Sequence, residues 1–250
     1  MRLTILGSGT NTHPTRAASG YLLYTSQLLL LDFGPRTLMN LMRIGVDRHS
    51  ITHILFSHYH ADHFADFIPF FFDAVFFSNH LGTRPDLTLI GPHGTKKLFR
   101  TLIQTLPGFD KARFAVRFKE VSDRSFMIGH TKISPRTVVH SPSLHSVGYR
   151  IEYGNKVLAY SGDAQYCKNL IRLCEDANLA LLDCSFPANK PGRGHLHAGE
   201  CGLVAKEASA DCLVLSHFYP IADRYNVREQ AGERFDGRIV AGKDLMTIKL

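Results

Sequence analysis

Four side chains able to hold a metal ion fall within six positions of one another in the segment His58-Tyr59-His60-Ala61-Asp62-His63. In extended chain, residues two apart project to the same side, so His58 and His60 converge on one point. Where the chain then turns into a helix, Asp62 and His63 are carried towards a neighbouring point. The block can thus serve two adjacent metals, a geometry that a cluster of surface histidines rarely offers.

The elements around the block have to place it. Ile51 to Phe56 is an apolar, β-branched stretch that reads as a strand and runs straight into it. Leu3 to Leu6 reads as a short strand leaving through Gly7-Ser8-Gly9. Gly20 to Tyr24 and Gln27 to Leu31 read as a hairpin that delivers Asp32 to a glycine-containing turn. A Phe-rich segment follows the histidine block, with Phe64, Phe67, Phe70, Phe71, Phe72, Phe76 and Phe77; runs of this kind serve as core or as a subunit contact, so a homodimer is one expectation. Gly94 to Leu106 has helical spacing, and Arg113 to Lys119 alternates as a half-buried strand does. From Gly148 the order becomes strand, turn, strand, helix (near Gln165 to Ala177), strand, helix (near Ala198 to Ala208), strand. No repeat and no Pro/Ser-rich linker divides the chain, which predicts one domain over 1–250.

At 250 residues, 44% hydrophobic and 20% charged, the chain can bury a full core. Neither a membrane-length apolar run nor the long apolar core of a signal peptide is present, so no membrane partner and a cytoplasmic location are expected. Five cysteines without paired metal-ligand spacing predict reduced, mostly buried thiols. The formal charge is +7, and Arg84 to Lys119 holds eight basic residues against two acidic ones. The alternation there sets these basic residues on exposed faces, and an anionic substrate or partner is favoured.

Read together, the Asp32 turn in LLLDFG, the SHYHADH block, a histidine before GYRIEYGNKVLAYSGD, Asp163 in that SGD, Gly194-His195-Leu196 and His217 in LVLSHFYP resemble the metallo-β-lactamase superfamily, within it the ribonuclease Z-like branch. The match runs through nearly the whole chain. The resemblance implies an α/β fold, an αββα sandwich of two mixed β-sheets packed face to face with helices outside, and two metals at the open edge of the sheets. It implies that His58, His60 and His140 hold one metal, that Asp62, His63 and His217 hold the other, and that Asp163 bridges them. All seven are nitrogen or oxygen donors suited to zinc, with manganese or iron open on ligand type. Asp32 matches a position behind the ligands that orients a histidine through its ring N–H. His145 competes with His140 for the third place in the first set; His140 follows the apolar Thr137-Val138-Val139, whereas His145 lies in a loop between Pro142 and Gly148.

Two such ions depress the pKa of a shared water from 15.7 towards about 7 and stabilise charge building on substrate oxygens. His195 stands where these enzymes carry a histidine that is not a ligand, and its imidazole can protonate a leaving alkoxide; His197, two residues on, is the competing donor. Asp62, His195 and Asp32 are therefore the catalytic candidates. The reaction expected is hydrolysis of a phosphodiester in RNA or a nucleotide-like anion. The alternatives are tRNA 3′ processing, lactonase or thioesterase hydrolysis, and a metal-bearing binding protein without catalysis. Ribonuclease Z proper inserts a long arm between the third histidine and the bridging aspartate. Here the interval from His140 to Asp163 is 23 residues and is filled by one hairpin.

Overall fold

The structure, a computed structural model, describes residues 1–250. Its strands are β1 (Arg2–Gly7), β2 (Gly20–Tyr24), β3 (Leu28–Leu31), β4 (His53–Leu55), β5 (Leu87–Gly91), β6 (Val116–Glu120), β7 (Phe126–Ile128), β8 (Thr131–Thr137), β9 (Val147–Tyr153), β10 (Lys156–Tyr160), β11 (Leu179–Asp183), β12 (Cys212–Ser216), β13 (Arg238–Ala241) and β14 (Thr247–Lys249). The helices are α1 (Thr37–Arg43), α2 (Ala61–Phe64), α3 (Phe67–His80), α4 (Thr95–Thr105), α5 (Lys168–Cys174), α6 (Ala198–Glu207) and α7 (Val227–Gly232).

Two seven-stranded sheets form, in the orders β14-β1-β2-β3-β4-β5-β6 and β13-β12-β11-β10-β9-β8-β7. Each is antiparallel at one end and parallel at the other, with β3, β4, β5 and β6 parallel in the first and β10, β11, β12 and β13 parallel in the second. The two-residue period of a strand sorts side chains into three apolar layers. Leu3, Ile5, Leu23, Leu31 and Leu55 of the first sheet meet Ile133, Tyr149, Ile151, Leu181 and Val214 of the second in a core between the sheets. The alternate residues Leu22, Leu30, Ile54 and Leu89 face outward against Phe67, Phe70, Phe71 and Phe99 of α3 and α4. On the other flank Ala180, Leu182, Leu213 and Leu215 pack on Leu170, Leu173, Cys201 and Val204 of α5 and α6. Strands covered on both faces have no polar side to show, which is why β11 and β12 are buried at every position. Each fully buried Leu or Phe contributes about 1.5–3 kcal/mol.

The structure corrects some of the expectations from the sequence and agrees with others. The Phe-rich segment is the long helix α3; Phe67, Phe70 and Phe71 are in the core, while Phe72 and Phe76 face solvent. The helix placed near Gln165 to Ala177 is only Lys168–Cys174; before it begins, Gln165 donates its backbone N–H to the Val139 carbonyl. Arg84 is not on an exposed face: it is buried, donates to the carbonyl of Ile51, and lies over the rings of Phe70 and Phe114. All five cysteines are free and four are buried. No helix is long and apolar enough to cross a membrane.

The parallel strands set up the site. Leu31 pairs in register with Leu55, and Leu55 with Ile90, so Asp32 and the segment after Phe56 leave the first sheet side by side. In the second sheet Tyr160 pairs with Leu181 and Asp183 with Ser216, which brings the Ser161-Gly162-Asp163 turn, Asp183 and His217 to its corresponding edge. Ligands of α/β sheets bind beyond the carboxyl ends of parallel strands, and both sheets here present those ends together. The turn after Asp32 fits against the histidine block so closely that a Cβ on Gly34 would lie 1.9 Å from the carbonyl oxygen of Asp62. Gly34→Ala is therefore expected to lower the urea unfolding midpoint by the equivalent of about 1–3 kcal/mol, as overpacking does; a midpoint equal to that of the unsubstituted chain would show that the two turns do not constrain each other.

Candidate metal centre

Six side chains from three separate stretches gather around the buried carboxylate of Asp163. Asp163 Oδ2 lies 3.6 Å from His58 Nε2 and 3.8 Å from His140 Nε2, while His60 Nδ1 sits 3.0 Å from the first of these nitrogens and 3.1 Å from the second. Asp163 Oδ1 faces the other way, 3.2 Å from His63 Nε2 and 3.3 Å from His217 Nε2, with Asp62 Oδ2 3.4 Å from the latter. Two clusters thus share Asp163 through different oxygens. His58, His63, His140, Asp163 and His217 are buried, and His60 is exposed, which leaves an open side.

The outer nitrogen of four of these rings is already engaged. His63 Nδ1 donates to Asp32 Oδ2 at 2.7 Å, and His140 Nδ1 to the carbonyl of Gly194 at 2.6 Å. The Ser57 hydroxyl donates to Asp32, so its oxygen accepts from His58 Nδ1 at 3.0 Å; the Ser185 hydroxyl donates to Asp183, so its oxygen accepts from His217 Nδ1 at 2.9 Å. In a neutral imidazole one nitrogen carries the proton, so in its neutral form each of these rings turns a bare Nε2 inward. Bare Nε2 atoms of His63 and His217 facing each other at 3.3 Å, with a buried Asp163 Oδ1 that has no hydrogen-bond donor, repel unless positive charge lies among them. The residues fit divalent cations in both clusters.

In the chain alone, the surrounding carboxylates draw that positive charge onto two of the rings as protons. Burial drives His58 well below the usual histidine range, helped by the neighbouring His63. Burial also disfavours charge on His63 and His217, but the carboxylates of Asp163, Asp32, Asp62 and Asp183 around them win and hold both well above it. Burial would raise Asp163, yet the facing imidazoles hold it well below the usual carboxylate range. The pocket thus favours positive charge beside Asp163, which protons on His63 and His217 or bound cations can supply.

His195 lies beside the clusters. Its ring stacks on His217 at 5.4 Å between centroids and meets His140 edge-on at 4.9 Å, and its Nδ1 donates to Asp183 Oδ2 at 2.9 Å. Burial lowers its basicity, but the Asp183 carboxylate outweighs burial and raises the pKa above the ordinary 6.5. His197 is engaged elsewhere: it caps α6, accepting from the Glu200 backbone N–H while Glu200 accepts from its own. His145 stands outside the gathering, with its ring edge-on to His93 at 5.5 Å. His13 pairs with Asp223 at 3.0 Å and fastens the loop after Gly9 to the segment beyond His217. A cavity of about 470 Å³ lined by Asn226, Arg228 and Phe235 contains none of these residues.

The residue that sequence reasoning missed is Asp183. Its buried carboxylate accepts from the Ala164 and Ser185 backbone N–H groups, the Ser185 hydroxyl and His195, so its oxygens are occupied and it holds other side chains in place. Its only sequence signal was a carboxylate closing the apolar strand Leu179 to Leu182, where an ordinary core residue would stand. Ser57, Ser185 and Tyr160, whose hydroxyl donates to Asp32, were missed as well.

Clusters of histidines and aspartates at the carboxyl ends of two facing mixed sheets match a metallo-hydrolase of the β-lactamase fold. The comparisons with known proteins are specific on the family: the chain belongs to the β-lactamase superfamily, whose domain model matches residues 28–218. An uncharacterised protein of Mycobacterium leprae is 34% identical over 252 residues, covering 96% of this chain and 86% of its own. The crystal structure of the metallo-β-lactamase fold protein YhfI from Bacillus subtilis superposes with a TM-score of 0.86 at 27% identity, covering 99% of this chain and 98% of that one. A ribonuclease Z of Methanosarcina mazei is 27% identical over 311 residues, covering 100% of this chain and 98% of its own, which sets the chain in the ribonuclease Z-like branch.

Asp32 ties the two turns together, accepting from the Ser57 N–H and hydroxyl, His63 and Tyr160, in a left-handed backbone conformation with φ 53°. Removing one member of a buried charged network leaves the others unpaired. Asp32→Ala is expected to destabilise the fold by roughly 3–5 kcal/mol in urea titration; a loss below 1 kcal/mol would mean that water replaces the carboxylate freely.

Proposed function

We propose that the chain is a metal-dependent phosphodiesterase with two divalent ions, zinc or a similar cation, acting on RNA or a nucleotide-like anion. His58, His60 and His140 would hold one ion, Asp62, His63 and His217 the other, and Asp163 would bridge them. The observation that carries this reading is the Asp163 carboxylate turned with one oxygen to each cluster of bare imidazole nitrogens. Ions bound there supply an activated water and offset negative charge on the phosphoryl oxygens.

The chain's own residues do the rest. Asp32, Ser57, Ser185 and the Gly194 carbonyl orient the four rings and fix which nitrogen faces inward. Asp183 accepts from Nδ1 of His195, so Nε2 is the nitrogen that takes up the second proton and, in the protonated ring, holds it for the departing oxygen. The raised basicity of His195 means that its protonated form is present at neutral pH, and this form declines as the pH rises past its elevated pKa. Support for an anionic substrate comes from the +7 charge and from Lys96 and Lys97. Both are exposed at the start of α4, where Thr95 bonds the hydroxyl of Tyr59 between His58 and His60.

The nearer alternative is cleavage at the 3′ end of precursor tRNA, favoured by the ribonuclease Z relative. Against it, the chain between His140 and Asp163 is only a loop and the β9-β10 hairpin.

Dialysis against a strong chelator should abolish turnover of bis-p-nitrophenyl phosphate, with zinc or manganese restoring it, and Asp163→Ala should lower the bound metal found by elemental analysis. Activity undiminished in metal-free protein would refute the reading. His195→Ala should lose about 10²-fold or more in kcat on a dinucleotide, whose alkoxide needs a proton, and Asp183→Asn should follow it in the same direction. Both should lose far less on bis-p-nitrophenyl phosphate, whose phenolate leaves unaided. Equal losses on the two substrates would remove His195 from the role of acid.

A further inference from the structure

His195 also lines a second concavity. It measures about 370 Å³ and is lined by Gln165, Tyr166, Pro191, Arg193, His195 and Glu200. This volume falls within the range of about 300–1,000 Å³ usual for small-molecule sites. The mechanism above, on which the inference rests, requires the departing oxygen to come within about 2.6–3.2 Å of His195. Whatever that oxygen carries then extends past the ring into this concavity.

The lining chemistry narrows the occupant. Tyr166 is 38% exposed, and its hydroxyl donates to Glu207 at 2.6 Å, which anchors the ring while leaving part of it open for stacking. Gln165 is fixed next to His140 by its backbone N–H, which donates to the Val139 carbonyl at 2.7 Å, and its side-chain amide offers both a donor and an acceptor. Glu200 is held in the α6 cap, and Arg193 is exposed in the loop before His195. With one guanidinium and the Glu200 carboxylate in its lining, and Glu207 behind Tyr166, the concavity is poorly suited to an inorganic anion. It suits an uncharged aromatic heterocycle with hydrogen-bonding edges, followed by a phosphate near Arg193.

We infer that this concavity is a leaving-group subsite that binds the nucleoside released by hydrolysis, with Tyr166 stacking on its base and Gln165 reading the base edge. Adenosine should bind the metal-free full chain in isothermal titration calorimetry, and Tyr166→Ala should weaken it about fivefold or more, the loss typical of a base–aromatic stack. Gln165→Ala should weaken it as well, whereas Tyr166→Phe, which keeps the ring, should hold the affinity within about twofold. On metal-loaded protein, kcat/KM for the dinucleoside monophosphate ApA should fall by a similar factor in Tyr166→Ala, with metal content and thermal midpoint unchanged. Adenosine that fails to bind, or that binds Tyr166→Ala as well as the unsubstituted chain, overturns the subsite even if ApA is hydrolysed. Adenosine binding that depends on Tyr166 in a chain that hydrolyses no phosphodiester overturns instead the reaction proposed above, and with it the leaving-group role.

Discussion

Everything in this molecule is arranged around a carboxylate that cannot satisfy itself. Asp163 is buried, its Oδ1 has no hydrogen-bond donor, and the four imidazoles nearest to it spend their N–H groups on partners behind them. A buried charge in that situation is costly unless cations join it. The protein therefore stores a demand for positive charge at one spot, and the surrounding network exists to keep that demand from relaxing. Rotation of any ring to donate towards Asp163 would break its outer bond.

The two sheets contribute to this arrangement in parallel ways. From the first, Asp32 at the end of β3 fixes Ser57 and His63; from the second, Asp183 at the end of β11 fixes Ser185 and His195, and through Ser185 the ring of His217. Each is a carboxylate closing a strand buried in a parallel array, where apolar packing on both faces leaves no freedom to shift. The strain of the arrangement appears in the backbone: Asp32 and His217 both take left-handed conformations, with φ 53° and 61°. Such conformations persist where surrounding structure over-determines them. Gly162 shows the other solution, with φ 59° and a missing Cβ that would stand 2.5 Å from that of Ser57.

Much of this was legible in the sequence, and the pattern of what was not has a physical reason. The spacing of His58, His60, Asp62 and His63 after an apolar strand is local information, and their convergence follows from strand and helix periodicity. The regular strand and helix alternation after Gly148 was equally visible, because β10, β11 and β12 are apolar runs bounded by turns. Asp183, Ser57 and Ser185 were not visible because their importance lies in partners far along the chain: Ser185 matters through His217, 32 residues away, and Tyr160 through Asp32, 128 residues away. The helix α3 was obscured by composition, since a run of phenylalanines gives no polar face from which to read a period. The end strands β13 and β14 are short and mostly unburied, and a half-exposed strand without clean alternation gives no signal.

The basic segment shows how a sum over sequence misleads when geometry divides it. Arg84 spends its charge on the Ile51 carbonyl and two aromatic rings, and Arg117 pairs with Asp86 at 2.7 Å. Arg117 is also paired in register with Thr88, which faces His53 at the start of β4, so it lies at the end of the sheet away from the histidines. Lys96 and Lys97 are on the side of the site. What reads as one stripe of eight charges is therefore a dispersed field plus a small local contribution. A field of that kind raises the encounter rate of any polyanion, but it cannot choose among them. A choice among polyanions needs contacts of fixed geometry at the site itself.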